Sequence, residues 1–317
     1  MPPLTGTLVV DFTWYLPGPF GSRELGRLGA RVVKIEPPEG DPMRPTAPAW
    51  HEAVNAGKES VVCDLKTDDG LALANALCDR ADVILEGFRP GVIDRLGVVV
   101  PETAVLCSIT GFGVGNRHEQ RAGHDVNYLG WAGVLADTAP AMPPTQVADL
   151  AAGSLAAALE VVAALLERER TGRGRHVVVS MTHGSHRFVA HRLEGMPERL
   201  LTGGAACYRI YATADGRWLT VGALEPKFWQ RLCEIAGRPA LAERQFDPDQ
   251  EAVAADLAEA IAARPLAEWL ELMDGEDVSA GPVWTIEEGA AEFGFEQDGG
   301  APTLGEHTKA WRAELGL

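Results

Sequence analysis

The sequence is poor in cysteine: Cys63, Cys78, Cys107, Cys207 and Cys233 are dispersed and never spaced as C-x-x-C. An odd, scattered set argues against a disulfide framework and offers no zinc-ligand spacing, so reduced thiols are expected. Basic residues are in deficit, 28 Lys and Arg against 45 Asp and Glu, for a net charge of −17. That balance argues against nucleic acid or an anionic membrane as the main partner. An anionic ligand would have to be met by a local cluster of cations. No apolar run approaches the roughly 20 residues of a membrane span. The N-terminal "MPPLTGTLVVDFTW" lacks the basic and apolar regions of a leader and reads as a first strand. The C-terminal "AELGL" is not an S-K-L-type address. No low-complexity tract or internal repeat occurs. A soluble, cytoplasmic protein is expected.

What is present is an alternation of strands and helices. A chain of 317 residues, 46% hydrophobic, suffices for a large core and two domains. "TLVVDF" (7–12), "RVVKIE", "SVVCDL", "DVILEG" and "AVLCSITGFG" read as strands, with helical stretches such as "FGSRELGRLGA" and 68–80 between them. Continuous apolar strands alternating with helices indicate βαβ units and a Rossmann-like parallel sheet covered on both faces. "DLAAGSLAAALEVVAALLERERTGRGR" is the clearest helix: Asp149 or a neighbour supplies the N-cap, basic residues crowd its end, and Gly172 stops it. A helix apolar all round is expected to be buried, against the sheet or a second subunit. "HVVVSM" then resumes the strand pattern. From about Leu200 the character changes to a hairpin with Asp215-Gly216 at its turn, followed by amphipathic helices near 226–236, 250–262 and 265–274. The expected architecture is a large α/β domain (1–199), a smaller α+β domain (200–290) and a tail (291–317) returning to the large domain.

Four groups of residues are candidates for chemistry. "TGFGVGN" (110–116) carries closely spaced glycines after a strand, but the third spacing is wrong for a dinucleotide fingerprint and no ribose-binding acid follows. A loop over a ligand is the better reading. Lys34, Arg44, Lys58, Lys66, Arg89 and Arg95 fall near strand ends, where open α/β sheets bind ligands and cations suit phosphates; Arg89, presented by the Pro90-Gly91 turn, is the best placed. "RAGHDVNYLGWAG" (121–133) sets His124 before Asp125 in a segment too glycine-rich for a tight helix. On its own His124 is open between proton carrier, metal ligand and packed ring. Asp149 and Glu225 each precede a helix and serve by default as helix-start acids. The N–H groups after Asp149 could stabilise a developing oxyanion, while the helix dipole would lower its carboxyl pKa.

The order of motifs resembles the class III CoA-transferase superfamily and, within it, the α-methylacyl-CoA racemases. The similar stretches include "LPGPFGSRELGRLGARVVKIEPPEGD", "GKESVVCDLK", "DVILEGFRPGVIDRLG", "AGHDVNYLGWAGVL", "VADLAAGS", "ERTGRGRHVVVSM" and "GGAACYRIYATADGRWLTVGALEPKFW", and they run nearly end to end. The resemblance implies Asp149 as the catalytic aspartate, with "GHD" and "GALEPKFW" in the racemase form placing His124 and Glu225 beside it. It implies CoA contacts from Cys63, Asp64, Leu65 and Lys66, from the Arg89 turn, and from Gly123, Asp125, Val126, Asn127 and Tyr128. It implies an interlocked homodimer in which Glu225 comes from the second subunit, with an acyl-CoA thioester as substrate and neither metal nor redox cofactor. Two departures stand out: Pro37 occupies the place of an arginine that helps hold CoA phosphate, and the chain is shorter near 133–144 and 181–203.

The implied activity interconverts R and S 2-methylacyl-CoA thioesters through an enolate, with His124 and Asp149 on opposite faces, Glu225 orienting the imidazole, and Asp125 ordering the loop. A free imidazole titrates near 6.5, suited to this work. The alternative is a CoA-transferase in which Asp149 attacks the thioester and forms a mixed anhydride. A non-catalytic acyl-CoA-binding homologue is the third reading.

Overall fold

The computed structural model describes residues 1–193, 195, 199–294 and 299–317. Six strands, β1 (Leu8–Asp11), β2 (Arg31–Glu36), β3 (Glu59–Val62), β4 (Val83–Glu86), β5 (Val105–Thr110) and β6 (His176–Ser180), form one parallel sheet. Its order is β3-β2-β1-β4-β5-β6, the doubly wound arrangement expected. Successive residues of a strand serve opposite faces. Val9 joins one core with Leu25, Val161 and Val179, while Val10 joins the other with Leu73, Leu77 and Trp311. That division is why the strands read as unbroken apolar runs rather than as alternation.

An edge strand needs its free backbone groups covered. At β3 the C-terminal segment does this. The Val62 N–H donates to Thr308 Oγ1 (3.0 Å), and the His307 N–H donates to the Ser60 carbonyl (3.0 Å). The helix Thr308–Leu315 then buries Trp311 beneath the Arg31 guanidinium, 4.1 Å from the ring centroid.

The chain divides into two compact units, Met1–His191 with Gln297–Leu317, and Arg192–Glu296. In the second unit β7 (Tyr208–Ala212), β8 (Trp218–Gly222) and β9 (Ala280–Pro282) form an antiparallel sheet, so the hairpin gains a third strand from "AGP". Trp229 and Trp269 are fully buried there, and each indole N–H finds a backbone carbonyl at 2.9 Å.

Three expectations are corrected. First, residues 125–131 form a helix despite their glycines. Tyr128 and Leu129 anchor it in the core, and Asn127 Oδ1 accepts the His124 N–H (3.0 Å), closing its first turn. Second, neither Asp149 nor a neighbour caps the long helix with its side chain: the N-cap position falls at Val147, and the helix opens with a π-helical stretch, Ala148–Leu155, before the α-helix Ala156–Thr171. Third, the continuous helix Ala148–Thr171 is by length and composition long and apolar enough to span a membrane, contrary to the reading of short apolar runs. Its inner face packs on the sheet through Ala157, Val161 and Ala164. Its outer stripe, Leu155, Leu159, Val162 and Leu166, is exposed.

Candidate active site

Strand order reverses between β1 and β4, and open α/β sheets bind ligands at the carboxyl ends of the strands there. A cleft of about 530 Å³ occupies that position. Thr13 and Trp14 follow β1 into it, Gly87, Phe88 and Arg89 follow β4, and Ile109 to Gly111 end β5. The 121–128 segment forms another wall through Arg121, Gly123, His124, Asn127 and Tyr128, and Asp149 reaches it from the π-helical stretch. π-helical turns are uncommon and occur frequently at functional sites.

Close packing sets this wall. The Tyr128 ring is buried and lies edge-on to Phe112, centroids 5.3 Å apart. A Cβ at Gly111 would come within 2.5 Å of the Tyr128 ring and one at Gly123 within 2.8 Å, so both positions require glycine for this packing. The Tyr128 hydroxyl donates to the Gly123 carbonyl at 2.5 Å, which holds the residue preceding His124.

Asp149 is held by its backbone and leaves its carboxyl in the cleft. Its N–H donates to Asp125 Oδ1 (2.9 Å), and Ser154 Oγ lies 2.9 Å from its carbonyl. Burial pushes its carboxyl up to about 7, and the nearby Asp125 carboxylate adds to the rise. The expected lowering by the helix dipole is overridden, since desolvation acts on the carboxylate itself and no cation compensates it. The N–H of Leu150 is also engaged, donating to the Gln146 carbonyl (2.9 Å). The Leu150 N–H, the first of those after Asp149 that the sequence offered to an oxyanion, is therefore not free to serve one.

A second cavity of about 370 Å³ adjoins the first, and Tyr15, His124 and Asp149 line both. Its other walls are mainly apolar: Leu16, Met43, Ala47, Trp50, Val126, Met142 and Pro143, with Asp125 at the edge.

The chain matches CoA-transferase family III over residues 4–312. It belongs to that family. It is 34% identical to the human α-methylacyl-CoA racemase over 308 residues, covering 90% of this chain and 78% of that one. It is 32% identical to an acetyl-CoA:oxalate CoA-transferase of Acetobacter aceti over 324 residues, covering 91% and 82%. The crystal structure of a CaiB/BaiF family protein from Brucella suis superposes with a TM-score of 0.84, at 27% identity and 99% coverage of both chains.

Within this family III fold the candidate residues separate into groups. Arg89, Gly123, His124, Asn127, Tyr128 and Asp149 line the cleft, and Asp125 and Val126 line the adjoining cavity. Cys63, Asp64, Leu65 and Lys66 line neither; they follow β3, at the sheet edge two strands from β1. The buried Cys63 thiol is pushed up to about 12 by desolvation. Glu225 belongs to the second unit, exposed at the N-cap of the helix Pro226–Ile235.

The strand-end cations are partly corrected. Lys34 is fully buried, its Nζ 2.9 Å from Asp41 and donating to the Thr13 carbonyl (2.7 Å). Lys58 pairs with Asp11 (3.3 Å) and donates to the Pro19 carbonyl (2.8 Å). Arg44 forks onto Glu36 at 2.7 and 2.8 Å. These three brace the loops beneath the cleft and are spent on internal partners. Arg121, which sequence reasoning passed over, lines the cleft with Arg89 and lies 5.1 Å from the Trp131 ring centroid. Its position three residues before His124 was the available signal. Among the described residues no group of three or more His, Cys, Asp or Glu side chains is placed to hold a metal.

Proposed function

We propose that the protein interconverts the R and S forms of 2-methylacyl-CoA thioesters by moving the α-proton. The observation that carries this reading is that His124 and Asp149 border the same two cavities while the Asp149 carboxyl sits at about 7. A carboxyl so poised is half protonated near neutrality and can both give and take a proton, which general acid–base catalysis requires. One group removes the proton from one face of the α-carbon, and the other returns a proton to the opposite face. Between those steps the thioester oxygen carries enolate charge. With the Asp149 and Leu150 N–H groups engaged, side-chain donors of the cleft are the ones this reading assigns to it. Asn127, whose Oδ1 accepts from His124, keeps its Nδ2–H groups for that task.

The assembly proposed is an interlocked homodimer, with Glu225 of one copy orienting His124 of the other. The exposed apolar stripe on the long helix supports self-association, since large contiguous apolar patches are rare on monomers. Cys63, Asp64, Leu65 and Lys66 keep a place in CoA binding only if the nucleotide end of CoA extends beyond the cleft to the sheet edge.

The transferase reading is supported by the Acetobacter aceti relative, whose identity to this chain is close to that of the racemase. In that chemistry the Asp149 carboxylate attacks the thioester carbonyl, the CoA thiolate leaves, and a mixed anhydride remains. The deciding experiment incubates a single enantiomer of a 2-methylacyl-CoA in deuterated buffer, with and without a carboxylic acid acceptor. Deuterium at the α-carbon with loss of optical purity, independent of acceptor and abolished in His124→Ala, is expected. Acyl exchange that needs the acceptor and survives His124→Ala would replace this reading with the transferase.

A further inference from the structure

Tyr15 is the third residue at the junction of the two cavities. Two of the three shared residues, His124 and Asp149, are the proposed proton carriers; Tyr15 has no part in that chemistry. Its backbone is left-handed, with φ 63°, and among the described residues Arg199 is the one other non-glycine there. Such a conformation persists when the surroundings over-determine it, and it clusters at ligand sites.

The surroundings are identifiable. On one side of Tyr15 the Thr13 N–H donates to Asp11 (2.9 Å) and the Thr13 carbonyl accepts from Lys34 Nζ (2.7 Å). On the other side Ser154 Oγ lies 2.5 Å from the Pro17 carbonyl, and Lys58 Nζ donates to the Pro19 carbonyl (2.8 Å). Asp11, Lys34, Lys58 and Ser154 are all buried. They fix the chain before and after Tyr15 and leave its side chain half exposed at the junction.

The cavities differ in chemistry. Arg89 and Arg121 stand on the larger one, whereas Leu16, Met43, Trp50 and Met142 give the smaller one an apolar wall. An acyl-CoA has the same division, a polar anionic carrier joined to an apolar chain through the thioester. With CoA in the larger cavity and the chain in the smaller, the α-carbon passes the junction. We propose that Tyr15 is a specificity-determining residue, its side chain forming the wall beside the α-carbon, and that the cavity beyond selects 2-methyl thioesters whose acyl chain is of medium length and unbranched beyond the α-carbon. A volume of about 370 Å³ lies near the lower end of the range for small-molecule pockets and suits a single chain rather than a sterol-sized group. This rests on the reading that the substrate is an acyl-CoA thioester, and not on whether the protein racemises or transfers.

Tyr15→Gly removes the side chain and suits the left-handed backbone, because glycine adopts positive φ freely; Tyr15→Phe keeps the ring. Deuterium exchange is measured as kcat/KM over 2-methylacyl-CoA esters of short, medium and long chains, with 2-ethyl and sterol-side-chain esters added. Affinities are measured for unreactive thioether analogues of the same set and for CoA alone. The unaltered protein and Tyr15→Phe should share a preference for medium 2-methyl chains. Tyr15→Gly should lose that preference by about tenfold, the scale of one or two methylenes in an apolar pocket, with melting temperature not lowered. An unchanged preference in Tyr15→Gly, or a parallel fall for every substrate and analogue, overturns the inference. If the unaltered protein exchanges no substrate yet its analogue affinities show the preference and Tyr15→Gly loses it, the racemase reading fails and the inference stands. If no acyl analogue binds more tightly than CoA alone, both fall.

Discussion

Asp11 is fully buried and Asp149 half-buried at the same end of one sheet, and their surroundings drive them in opposite directions. Burial would raise Asp11, but Lys58, Lys34 and the hydroxyls of Ser22 and Thr13 outweigh it and hold the carboxyl below its ordinary value. Asp149 is desolvated without a cation, has Asp125 for a neighbour, and rises to about 7. The fold surrounds one with donors and leaves the other facing a cavity. A carboxylate enclosed by donors holds loops; a carboxylate short of donors is available for proton transfer. The comparison predicts that changes at Asp149 cost activity and gain stability, and that changes around Asp11 cost stability.

The largest effect is expected at Asp149 itself. Asp149→Asn should lower α-proton exchange by about 10²–10⁴-fold, the usual contribution of a general acid or base. Exchange followed by mass spectrometry reads this directly. Activity within a few-fold of the unaltered protein would remove Asp149 from the chemistry.

Next comes the enclosed carboxylate. Lys58→Met leaves Asp11 without its partner at 3.3 Å and takes the donor from the Pro19 carbonyl. Breaking a buried pair from one side costs about 3–5 kcal/mol. Urea unfolding of Lys58→Met should show a loss of that size. A neutral result would mean that the pair contributes no net stability.

The contrast also has a pH signature. Between the ordinary aspartate value near 4 and about 7, folded Asp149 keeps a proton that the unfolded chain has released, so its contribution to stability falls as pH rises through that window. A rise of about three pH units corresponds to roughly 2–4 kcal/mol after allowing for partial solvent access. Asp149→Asn should therefore be more stable than the parent at pH 8 and indistinguishable from it at pH 4. Glu36 runs the other way. Burial raises it, but Arg44, Ser60 and the Asp41 N–H bring it down to about 2. Its stabilisation is fully present above the ordinary glutamate value and is lost as pH falls toward 2. Glu36→Gln should flatten that acid limb in thermal melts taken across pH.

The strands of the parallel sheet were legible because each is buried on both faces and reads as an unbroken apolar run, as Val9 and Val10 show by serving opposite cores. The helix at 125–131 was not legible, because its stability comes from Tyr128 and Leu129 reaching the core and from Asn127 closing on His124, which local glycine content conceals. Lys34 and Lys58 looked like phosphate ligands by position along the chain. Only three dimensions reveal that Asp41 and Asp11 consume them. His124 and Asp149 could be proposed from motifs, but Tyr15 could not, since its left-handed backbone has no signature in the sequence.

The smallest expected effect tests the cause of the Asp149 shift. Desolvation is the larger contribution and the Asp125 carboxylate the smaller. Asp125→Asn removes the negative charge while the side-chain oxygen can still accept the Asp149 N–H, now at 2.9 Å from Oδ1. The pH dependence of kcat/KM should then move its Asp149 limb to lower pH by less than about one unit, because one partly screened charge is lost while burial is unchanged. Asp125→Ala loses the acceptor as well, and it should lower kcat beyond the pH shift by releasing the first turn of the π-helical stretch. If the two variants have the same kcat and the same limb, Asp125 acts on Asp149 through charge alone. If Asp125→Asn leaves the limb in place, burial accounts for the whole rise, and the difference between Asp11 and Asp149 reduces to the presence or absence of a cation.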